Sequence, residues 1–541
     1  MEMLNLELPA TNRFATGYLA GAPEIQRFFH YQYQNVADYE ERVLELEKRT
    51  FLREELASCI EKYLDRFPTS KTVLESLQKL RQPNSVVVIG GQQAGILTGP
   101  LYSIHKIISI IVFARQKEAE LGIPVVPIFW IAGEDHDYQE VNHIYVENEG
   151  KVQKVVYPEK VLEKKMVSDI KIDKQLCIAW VEEIVELLGE TDHTKGLLSF
   201  LKEAVNQSET FVDFFAHIVM ELYKDYGLLV IDSGYSGLRC LEKEILFSQI
   251  KQAVSITNHV KEVQAELEEA GFPHSIDLSN QAANIFYYDD RYKERILLEY
   301  QEETKEFIGK NGAVTFTMEE LLQTASEFPW KLSNNVVTRP ITQEWLFPTL
   351  AFIAGPGEIA YWAELKKAFE SYSMKMPPIV PRLNITLVDR SVETDFLELG
   401  LSLETVLTKG TDKQQEQYLS SVKDPELDQL FKHAKEQLLN SYHLIKERID
   451  RGLSPLLEKN QENLLKQIEF MEGKVDLALQ EKHQVILTKF SRVNNKLRPL
   501  GSPQERILNA VYYMNQYGIP FLADLAALSY TFDGKHKVIK I

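Results

Sequence analysis

One stretch of the sequence, residues 85–143, constrains the fold more than any other. It begins with a β-branched run over residues 85–89 that two glycines stop, and an apolar pattern of helical spacing follows over residues 101–121. A second apolar run covers residues 124–131. Strand, glycine turn, helix and strand make a βαβ unit, and such units predict a parallel sheet that binds ligands beyond the carboxyl ends of its strands.

The turn after the first predicted strand is longer than the common dinucleotide-binding turn, because it runs on to Gly99 and Pro100. Pro100 fits the first turn of a helix, so Thr98 or Gly99 is the predicted N-cap. The free N–H groups of that helix predict an anion site, and His105, early in the helix, is a candidate catalytic donor or else a core histidine. The candidate substrate-binding residues of this turn are Gln92, Gln93, Gly95, Thr98, Gly99 and Tyr102.

Four consecutive ionisable residues, Glu134, Asp135, His136 and Asp137, follow the second predicted strand. They are candidate catalytic residues, because four such groups after a buried strand are hard to explain as solvated surface alone. His136 or Asp137 could take a proton from an ammonium group, which must be neutral before it attacks. The competing interpretation is a divalent metal held by Asp135, His136 and His143, although this spacing is not a strong metal pattern.

The length and charge of the chain limit its class. At 541 residues it exceeds what one hydrophobic core usually supports, so two or more domains are expected. The net charge of −19 argues against nucleic acid as a partner, and an anionic small substrate must be met by a local basic pocket. Three widely spaced cysteines, the lack of a signal peptide and the lack of a long apolar run predict a cytoplasmic protein without membrane contact.

Candidate site residues recur beyond the first βαβ unit. The core is expected to cover residues 1–388, with an irregular stretch within residues 1–30 and insertions at about 144–225 and 255–335. A strand that ends at Asp232 makes this residue a substrate-binding candidate, with a simple turn cap as the alternative.

Arg339 and Gln343 are candidates for binding carboxylates, since arginine presents a planar fork to such groups. Glu358 follows a Gly-Pro-Gly turn in the first turn of a predicted helix. It is a further substrate-binding candidate, and an acid that only stabilises the helix dipole is the alternative.

Residues 389–501 are expected to form a helical domain with an antiparallel coiled-coil hairpin. Apolar residues recur there at spacings of three, four or seven, and Ile445, Leu464 and Met471 belong to the pattern. A narrow apolar stripe of this kind suits a partner, and a homodimer is the simplest one. Residues 502–541 return to globular character and are expected to pack back on the core.

A basic cluster near the end of the hairpin stands out in this acidic chain. A phosphate-bearing ligand would suit it, with a facing segment donating hydrogen bonds. The alternative is that these cations neutralise nearby acidic helices. The candidate nucleotide-binding residues are Asn384, Ile385, Thr386, Phe490, Ser491, Arg492, Val493 and Arg506.

Four blocks of the sequence, in the same order, resemble one family. They are GQQAGILTGPLYSIHK, FWIAGEDHDYQEVNH, TRPITQEWLFPTLAFIAGPGEIAYW and PRLNITLVD. The chain is similar to the bacillithiol biosynthesis cysteine-adding enzymes of low-GC Gram-positive bacteria. The first block also resembles the signature of class I aminoacyl-tRNA synthetases, but only His105 matches, since Tyr102 and Ile104 replace its first histidine and its glycine.

The family resemblance implies an α/β fold with a Rossmann-like, nucleotidyltransferase-type core, connecting-peptide insertions and an α-helical antiparallel coiled-coil domain. It implies a ligase that adds cysteine to glucosaminyl malate in the last step of bacillithiol biosynthesis. Joining a carboxylate to an amine needs a leaving group, so ATP or ADP is the expected nucleotide, with a divalent metal as a further candidate. A dimeric scaffold that only binds nucleotide, and another class I synthetase-like nucleotidyltransferase, are the alternatives.

Overall fold

The computed structural model describes residues 1–161, 163–289, 291–292, 294–310 and 312–541. Its strands are β1 (Glu2–Leu6), β2 (Val86–Gln92), β3 (Val125–Ile131), β4 (His143–Asn148), β5 (Lys151–Val156), β6 (Leu229–Asp232), β7 (Ala282–Asp289), β8 (Glu294–Gln301), β9 (Glu306–Gly309), β10 (Thr315–Thr317), β11 (Leu332–Asn334), β12 (Thr349–Ala354), β13 (Ile379–Pro381), β14 (Ile385–Val388) and β15 (His536–Lys540).

The helices of the N-terminal half are α1 (Arg13–Leu19), α2 (Pro23–Gln26), α3 (Val36–Leu46), α4 (Arg53–Leu64), α5 (Lys71–Arg81), α6 (Leu101–Leu121), α7 (Tyr138–Val141), α8 (Lys174–Leu187), α9 (Thr194–Gln207), α10 (Phe211–Tyr223), α11 (Ser236–Leu241), α12 (Lys243–Lys251) and α13 (Ala253–Glu269). Those of the C-terminal half are α14 (Met318–Glu327), α15 (Thr338–Leu346), α16 (Pro356–Ala363), α17 (Lys366–Ser371), α18 (Arg390–Glu398), α19 (Leu403–Lys409), α20 (Asp412–Val422), α21 (Pro425–Lys446), α22 (Ser454–Lys482), α23 (Gln484–Leu497), α24 (Gln504–Ile507), α25 (Ala510–Tyr517) and α26 (Pro520–Ala527).

The core is a parallel sheet with the strand order β13-β12-β2-β3-β6. The apolar runs of β2 and β3 are buried on both faces, as expected for parallel strands covered by helices. Along the chain, β2, β3 and β6 extend the sheet in one direction and β12 and β13 extend it in the other. The strand order therefore reverses between β2 and β12, which confirms the predicted Rossmann-like α/β class.

Helix α6 connects β2 to β3 and is buried around most of its circumference. One side packs on β2 and β3, and α24 and α26 from the end of the chain cover another side. This double cover explains why apolar residues surround the helix instead of forming one stripe. Gly122 ends the helix in the left-handed conformation, at φ 66°.

Two additions interrupt the core sheet. Between β3 and β6, the antiparallel hairpin β4–β5 is followed by α8 and α9, which pack together, and by α10, which is buried along most of its length. Between β6 and β12, the chain forms an antiparallel sheet with the order β10-β9-β8-β7-β11. This second sheet has a small hydrophobic core of its own that includes Leu246 and Ile250 from α12.

The two ends of the chain meet in a three-stranded sheet with the order β1-β15-β14. β15 pairs in parallel with β14 and antiparallel with β1, from Glu2 opposite Lys540 to Leu6 opposite His536. The sequence predicted an irregular stretch within residues 1–30, and residues 7–12 are irregular, but β1 was not predicted. Among the described residues, β1 pairs only with β15, which lies some five hundred residues further along the chain, so local sequence could not indicate it.

Helices α21 and α22 form an antiparallel hairpin in which every residue is at least partly exposed. The facing, half-buried residues are Leu427, Phe431, Leu438, Tyr442, Leu457, Leu465, Ile468, Val475 and Leu479. Ile445, Leu464 and Met471, which the sequence placed in the same pattern, are exposed by 42%, 39% and 53%. The hairpin thus has an apolar surface beyond its own seam.

Within the described ranges, no helix is both long enough and apolar enough to cross a membrane. The three cysteines are free thiols, with Cys177 buried, Cys59 half-buried and Cys240 exposed.

Gln504 fixes the C-terminal segment to the core, which gives a first prediction. Its side-chain amide pairs with both backbone groups of Leu387 at 2.8 Å and donates to the Lys496 carbonyl at 2.7 Å. Gln504→Leu would leave these buried groups without partners and should lower the free energy of unfolding by about 2–4 kcal/mol in urea titrations. Gln323→Leu, on an exposed helix face, is the control and should change it by less than about 0.5 kcal/mol. Equal effects of the two substitutions would contradict this role for Gln504.

Candidate active site

A cavity of about 310 Å³ opens where the strand order reverses between β2 and β12, and we call it the switch-point cavity. The ends of β2, β3, β12 and β13 all contribute to it, as the rule for open parallel sheets predicts. Its lining residues are Gly91, Gln92, Gln93, Tyr102, Lys106, Ala132, Asp135, Arg339, Gly355, Pro356, Gly357, Glu358, Tyr361, Arg382 and Arg506. Four cations therefore face one cavity of a protein whose net charge is −19.

Lys106 lies at the base of the switch-point cavity and was missed by the sequence analysis. It is 1% exposed, and its Nζ donates to Gly91 O at 2.6 Å, to Gln92 Oε1 at 3.1 Å and to Glu358 Oε2 at 2.5 Å. Burial lowers the pKa of Lys106, and the Glu358 carboxylate opposes that shift. A lysine between Ile104 and Ile107, inside an apolar helical pattern, was the signal that could have identified it.

Glu358 has two contacts that correspond to the two interpretations of the sequence. Its Oε2 accepts a hydrogen bond from the backbone N–H of Gly355 at 2.7 Å, so it caps the start of α16. The same oxygen pairs with Lys106, and Glu358 lines the switch-point cavity. One carboxylate thus stabilises the helix and fixes a buried cation.

Arg339 and Gln343 lie one turn apart on α15 and have different surroundings. Arg339 lines the switch-point cavity, and its Nη2 donates to the Tyr361 hydroxyl at 2.8 Å. Gln343 is 4% exposed and lies outside the lining of the cavity. Of the two residues that the sequence proposed for carboxylates, only Arg339 is in a position to touch a ligand there.

Arg382, which the sequence analysis also missed, comes from the residue after β13. Its Nη1 and Nη2 donate to Glu505 Oε2 and Oε1 at 2.6 and 2.8 Å, a two-pronged ion pair. Glu505 also has a hydrogen-bond partner in His105, whose Nδ1 lies 3.0 Å from Oε2. Although burial alone would raise it, the pKa of Glu505 lies well below its usual range because Arg382 and His105 stabilise the carboxylate.

His105 is fully buried and lies outside the lining of the switch-point cavity. Its expected position facing the site is therefore wrong, because α24 covers this side of α6 and supplies Glu505 as its partner. The histidine acts on the cavity only through Glu505 and Arg382.

The predicted anion site at the start of α6 is closed. The N-cap is Pro100, so the prediction of Thr98 or Gly99 is wrong, and the N–H of Leu101 donates to Leu508 O at 2.9 Å. Thr98 is buried with a positive φ of 72°. The turn is tight because a Cβ on Gly95 would lie 2.6 Å from the Cα of Gly99.

The C-terminal segment holds this turn in place. Asn509 donates to the carbonyls of Leu97 and Gly99, at 2.9 and 2.6 Å. Of the turn residues that the sequence proposed for substrate binding, Gln92, Gln93 and Tyr102 line the cavity, whereas Gly95, Thr98 and Gly99 lie behind its wall.

The structure separates the four ionisable residues at 134–137. Glu134 is 4% exposed and pairs with the buried Arg239. Asp135 lines the switch-point cavity and accepts a hydrogen bond from Gln93 Nε2 at 2.7 Å. The ring of His136 lies 6.1 Å from that of Phe286.

Only one member of this group therefore faces the cavity. Nδ1 of His136 has no hydrogen-bond partner among the residues that the structure describes. The Asp137 side chain is 57% exposed. Of the four candidate catalytic residues, only Asp135 is in a position to touch a ligand in the cavity, since Glu134 is buried and Asp137 is exposed to solvent.

Asp232 ends β6 but lies outside the lining of the switch-point cavity. It is buried, accepts from Ser168 Oγ at 2.7 Å and from the N–H of Gly234 at 2.9 Å, and thereby caps its own turn. Burial raises its pKa to about 6, while Ser168 and Gly234 oppose the shift. The geometry favours the turn-cap interpretation of Asp232.

A second cavity, of about 340 Å³, lies where the C-terminal segment meets the core, and we call it the C-terminal cavity. Its lining residues are Leu8, Pro9, Ala10, Thr11, Pro356, Arg382, Asn384, Thr386, Leu407, Thr408, Leu497, Arg498, Pro503, Glu505, Arg506 and His536. Burial lowers the pKa of His536 to about 4, and its Nε2 lies 2.8 Å from Thr386 Oγ1. The cavity thus combines hydrogen-bonding groups with three arginines.

Only three of the predicted nucleotide-binding residues line the C-terminal cavity, namely Asn384, Thr386 and Arg506. Arg492 instead lies 3.1 Å from Asp395 Oδ2, which agrees with the alternative of cations that neutralise acidic helices. The side chains of Ile385, Phe490 and Val493 are buried in the interior, and Ser491 is exposed. The sequence analysis grouped residues 490–493 in one site, but consecutive residues of a helix face different directions.

Among the residues that the structure describes, no three His, Cys, Asp or Glu side chains are grouped so that they could hold a metal ion. Asp135, His136 and His143, the metal ligands considered from the sequence, are not such a group.

A Rossmann-like sheet with a cation-rich cavity at its switch point, joined to a coiled-coil hairpin, defines a two-part enzyme of the Rossmann-like class. The family model described as "Bacillithiol biosynthesis BshC, N-terminal Rossmann-like domain" matches residues 1–383, and "Bacillithiol biosynthesis BshC, C-terminal coiled-coil domain" matches residues 385–541. The chain belongs to this BshC family.

Curated relatives agree over the full length of both chains. Proteins named "Putative cysteine ligase BshC" from Geobacillus thermodenitrificans, Anoxybacillus flavithermus and Bacillus cereus are 46%, 41% and 38% identical to this chain, and each alignment covers 100% of both sequences. These matches confirm the family that the four sequence blocks indicated and the expected ligase class of enzyme.

The raised pKa of Asp232 predicts a pH-dependent stability. Because the folded state holds the proton up to about pH 6 and the unfolded chain releases it near pH 4, folding binds protons between these values. The stability from this residue is fully present below pH 4 and is lost as the pH rises through 6. The free energy of unfolding of the unmodified protein minus that of Asp232→Asn should fall by about 2–3 kcal/mol from pH 4 to pH 7.

Urea unfolding at several pH values measures this difference. Asp137→Asn, which removes a carboxylate whose side chain is 57% exposed, serves as the control. A pH-independent difference for Asp232→Asn would show that Asp232 is ionised in the folded protein throughout this range.

Proposed function

We propose that this enzyme forms an amide bond between the carboxyl group of cysteine and the amine of glucosaminyl malate, as the last step of bacillithiol biosynthesis in the cytoplasm. The observation that carries the proposal is the switch-point cavity, which places Lys106, Arg339, Arg382 and Arg506 around one space in an acidic protein. Family membership and the printed names of the relatives support cysteine as one substrate.

The malate group carries two carboxylates, and Arg339 is the residue best placed to bind one of them. Its guanidinium is held by Tyr361 at 2.8 Å and has no carboxylate within ion-pair distance among the described residues, so its charge is available to a ligand. Arginine binds carboxylates with two parallel hydrogen bonds, which also fixes their orientation. Arg506 faces the same cavity from the C-terminal segment and is the candidate for the second carboxylate.

Amide formation requires a neutral amine. The amine nitrogen attacks the carbonyl carbon of cysteine, the activated oxygen leaves, and a base accepts the proton that the nitrogen loses. Asp135 is the ionisable residue of the 134–137 group that lines the cavity, so it is the strongest candidate base.

A nucleotide would supply the leaving group on the cysteine carboxyl, and the C-terminal cavity suits one. Arg498 and Arg506 can bind phosphates there, while Asn384 and Thr386 offer hydrogen bonds to the remaining polar groups. We propose ATP as this nucleotide, with ADP or AMP as its product.

The proposal predicts product formation by the purified protein. With cysteine, glucosaminyl malate and Mg-ATP, mass spectrometry should detect bacillithiol together with ADP or AMP. Arg339→Gln should raise the KM for glucosaminyl malate about 10- to 100-fold, since a charge-assisted hydrogen bond contributes about 1.5–3 kcal/mol. Arg390→Gln, at an exposed arginine outside both cavities, is the matched control and should leave KM unchanged.

The outcomes separate an enzyme from a scaffold. Neither bacillithiol nor nucleotide turnover, from protein shown to be folded, would overturn the ligase proposal. Nucleotide binding without turnover, unaffected by Arg339→Gln, would favour a protein that only binds.

We also propose that the hairpin of α21 and α22 forms a homodimer. Large apolar side chains outside its seam are exposed, including Leu430 at 64%, Leu456 at 67% and Phe470 at 57%. Exposed apolar residues along a long helical hairpin are typical of an interface between chains.

Sedimentation should therefore show a dimer of the 62.3 kDa chain. Phe470→Glu should weaken dimerisation at least about tenfold, because it places a charge in an apolar contact. Gln467→Glu, which adds the same charge at an exposed polar position of α22, should have little effect. A chain that sediments as a monomer at micromolar concentration would exclude this interface.

A further inference from the structure

The switch-point cavity and the C-terminal cavity share a wall. Pro356, Arg382 and Arg506 line both of them, whereas Arg339 and Tyr361 line only the first and Asn384 and Thr386 line only the second. Two basic cavities separated by the same two arginines cannot bind anions independently, because each bound anion acts on the cations that the other one uses.

Arg382 is the fixed member of this wall. The guanidinium binds Glu505 through both Nη atoms, and its Cζ lies 5.8 Å from the centre of the Tyr102 ring. Arg382 is 6% exposed, so little water screens its charge. Its Nε is close to Gly355, because a Cβ on that glycine would lie 3.8 Å from it, and Gly355 lines the switch-point cavity.

Glu505 is held in turn by His105. The carboxylate can only accept hydrogen bonds, so the Nδ1 that lies 3.0 Å from Oε2 carries the proton. His105 is fully buried, and burial lowers its pKa, while the Glu505 carboxylate opposes that shift. His105, Glu505 and Arg382 thus form one hydrogen-bonded series that starts on α6, passes through α24 and ends at the shared wall.

We propose that Arg382 binds anions in both cavities, that Glu505 and His105 are positioning residues for it, and that an anion in one cavity therefore weakens anion binding in the other. The inference rests on the proposed function in taking a dicarboxylate and a phosphate as the two anions. It gives the C-terminal segment a direct role in the site, because Glu505 and Arg506 both come from α24.

Coupling of this kind must be reciprocal. If a phosphate in the C-terminal cavity weakens dicarboxylate binding by some factor, the dicarboxylate weakens phosphate binding by the same factor. The Glu505 carboxylate already neutralises the charge of Arg382. Two further anions beside Arg382 therefore repel each other, and this arginine does little to offset the repulsion. We expect a factor of about five or more, the lower end of the usual range for coupled sites.

Calorimetric titration of the full chain with two probes tests the coupling. Malate serves as the probe of the switch-point cavity and inorganic pyrophosphate as the probe of the C-terminal cavity, each titrated alone and in the presence of saturating amounts of the other. Arg339→Gln should weaken malate alone, and Thr386→Val should weaken pyrophosphate alone, which assigns each probe to its cavity. In the unmodified protein, each probe should weaken the other about fivefold or more, by equal factors.

Substitutions in the series distinguish positioning from a merely structural role. Arg382→Gln should weaken both probes and remove the coupling. Glu505→Gln removes the neutralising charge and should tighten the binding of both probes, which general loss of structure cannot do. His105→Asn retains an N–H donor and should preserve the coupling factor, whereas His105→Leu should change it.

Circular dichroism confirms that each variant is folded, and if Arg382→Gln is not, Glu505→Gln and the unmodified protein decide the question. The inference is wrong if both probes bind without affecting each other, if Glu505→Gln weakens both, or if pyrophosphate shows no binding that depends on Thr386. Bacillithiol formation without coupling would overturn this inference and leave the proposed function intact, while coupling without product would do the reverse.

Discussion

The reversal of strand order between β2 and β12 is the constraint on which the site depends. A sheet that grows in both directions from one strand sends its crossover connections to opposite faces, and the strand ends at the reversal are left uncovered. Gly91, Gly355 and Arg382 reach the same opening from β2, β12 and β13 for this reason. The cavity exists because of topology, and the side chains around it determine what it can bind.

The protein buries charge next to this opening, and each buried charge is matched. Lys106 pairs with Glu358, Arg382 with Glu505, and Arg239 with Glu134 and Glu242. An unmatched charge in these places would be strongly destabilising, so the pairs form a rigid frame around the opening. Arg339 differs, since its described polar partner is the Tyr361 hydroxyl.

The sequence predicted what depends on neighbouring residues and missed what depends on distant ones. Apolar periodicity was enough for the βαβ unit, the parallel sheet and the helical hairpin, because each reflects a local pattern of burial. The Rossmann-like class came from the family resemblance. The closed start of α6 was not predictable in this way, since the group that closes it, Leu508 O, lies more than four hundred residues from Leu101. β1 was missed for the same reason, as its partner is β15.

The candidate site shows the same division. Gln92, Gln93, Asp135, Arg339 and Glu358 were identified because they follow predicted strands or start predicted helices, and all of them line the switch-point cavity. The sequence positions of His105, Glu134 and Asp232 do not predict where their side chains point, because partners elsewhere in the chain determine each direction. The sequence analysis missed Lys106 and Arg382, and the structure identified both through the carboxylates that pair with them.

The net charge of −19 makes the local arrangement of cations decisive. At physiological ionic strength, charges more than about 8 Å apart in solvent are largely screened, so the acidic surface has little effect on a ligand once it lies inside a cavity. There the ligand meets four cations. Carboxylate partners fix Lys106 and Arg382, whereas Arg339 and Arg506 have no ion-pair partner among the described residues. A ligand therefore gains affinity mainly when its acidic groups fit the positions of these donors. If the proposed substrate binds here, selectivity for a dicarboxylate of one length follows from the fixed ion pairs of Lys106 and Arg382.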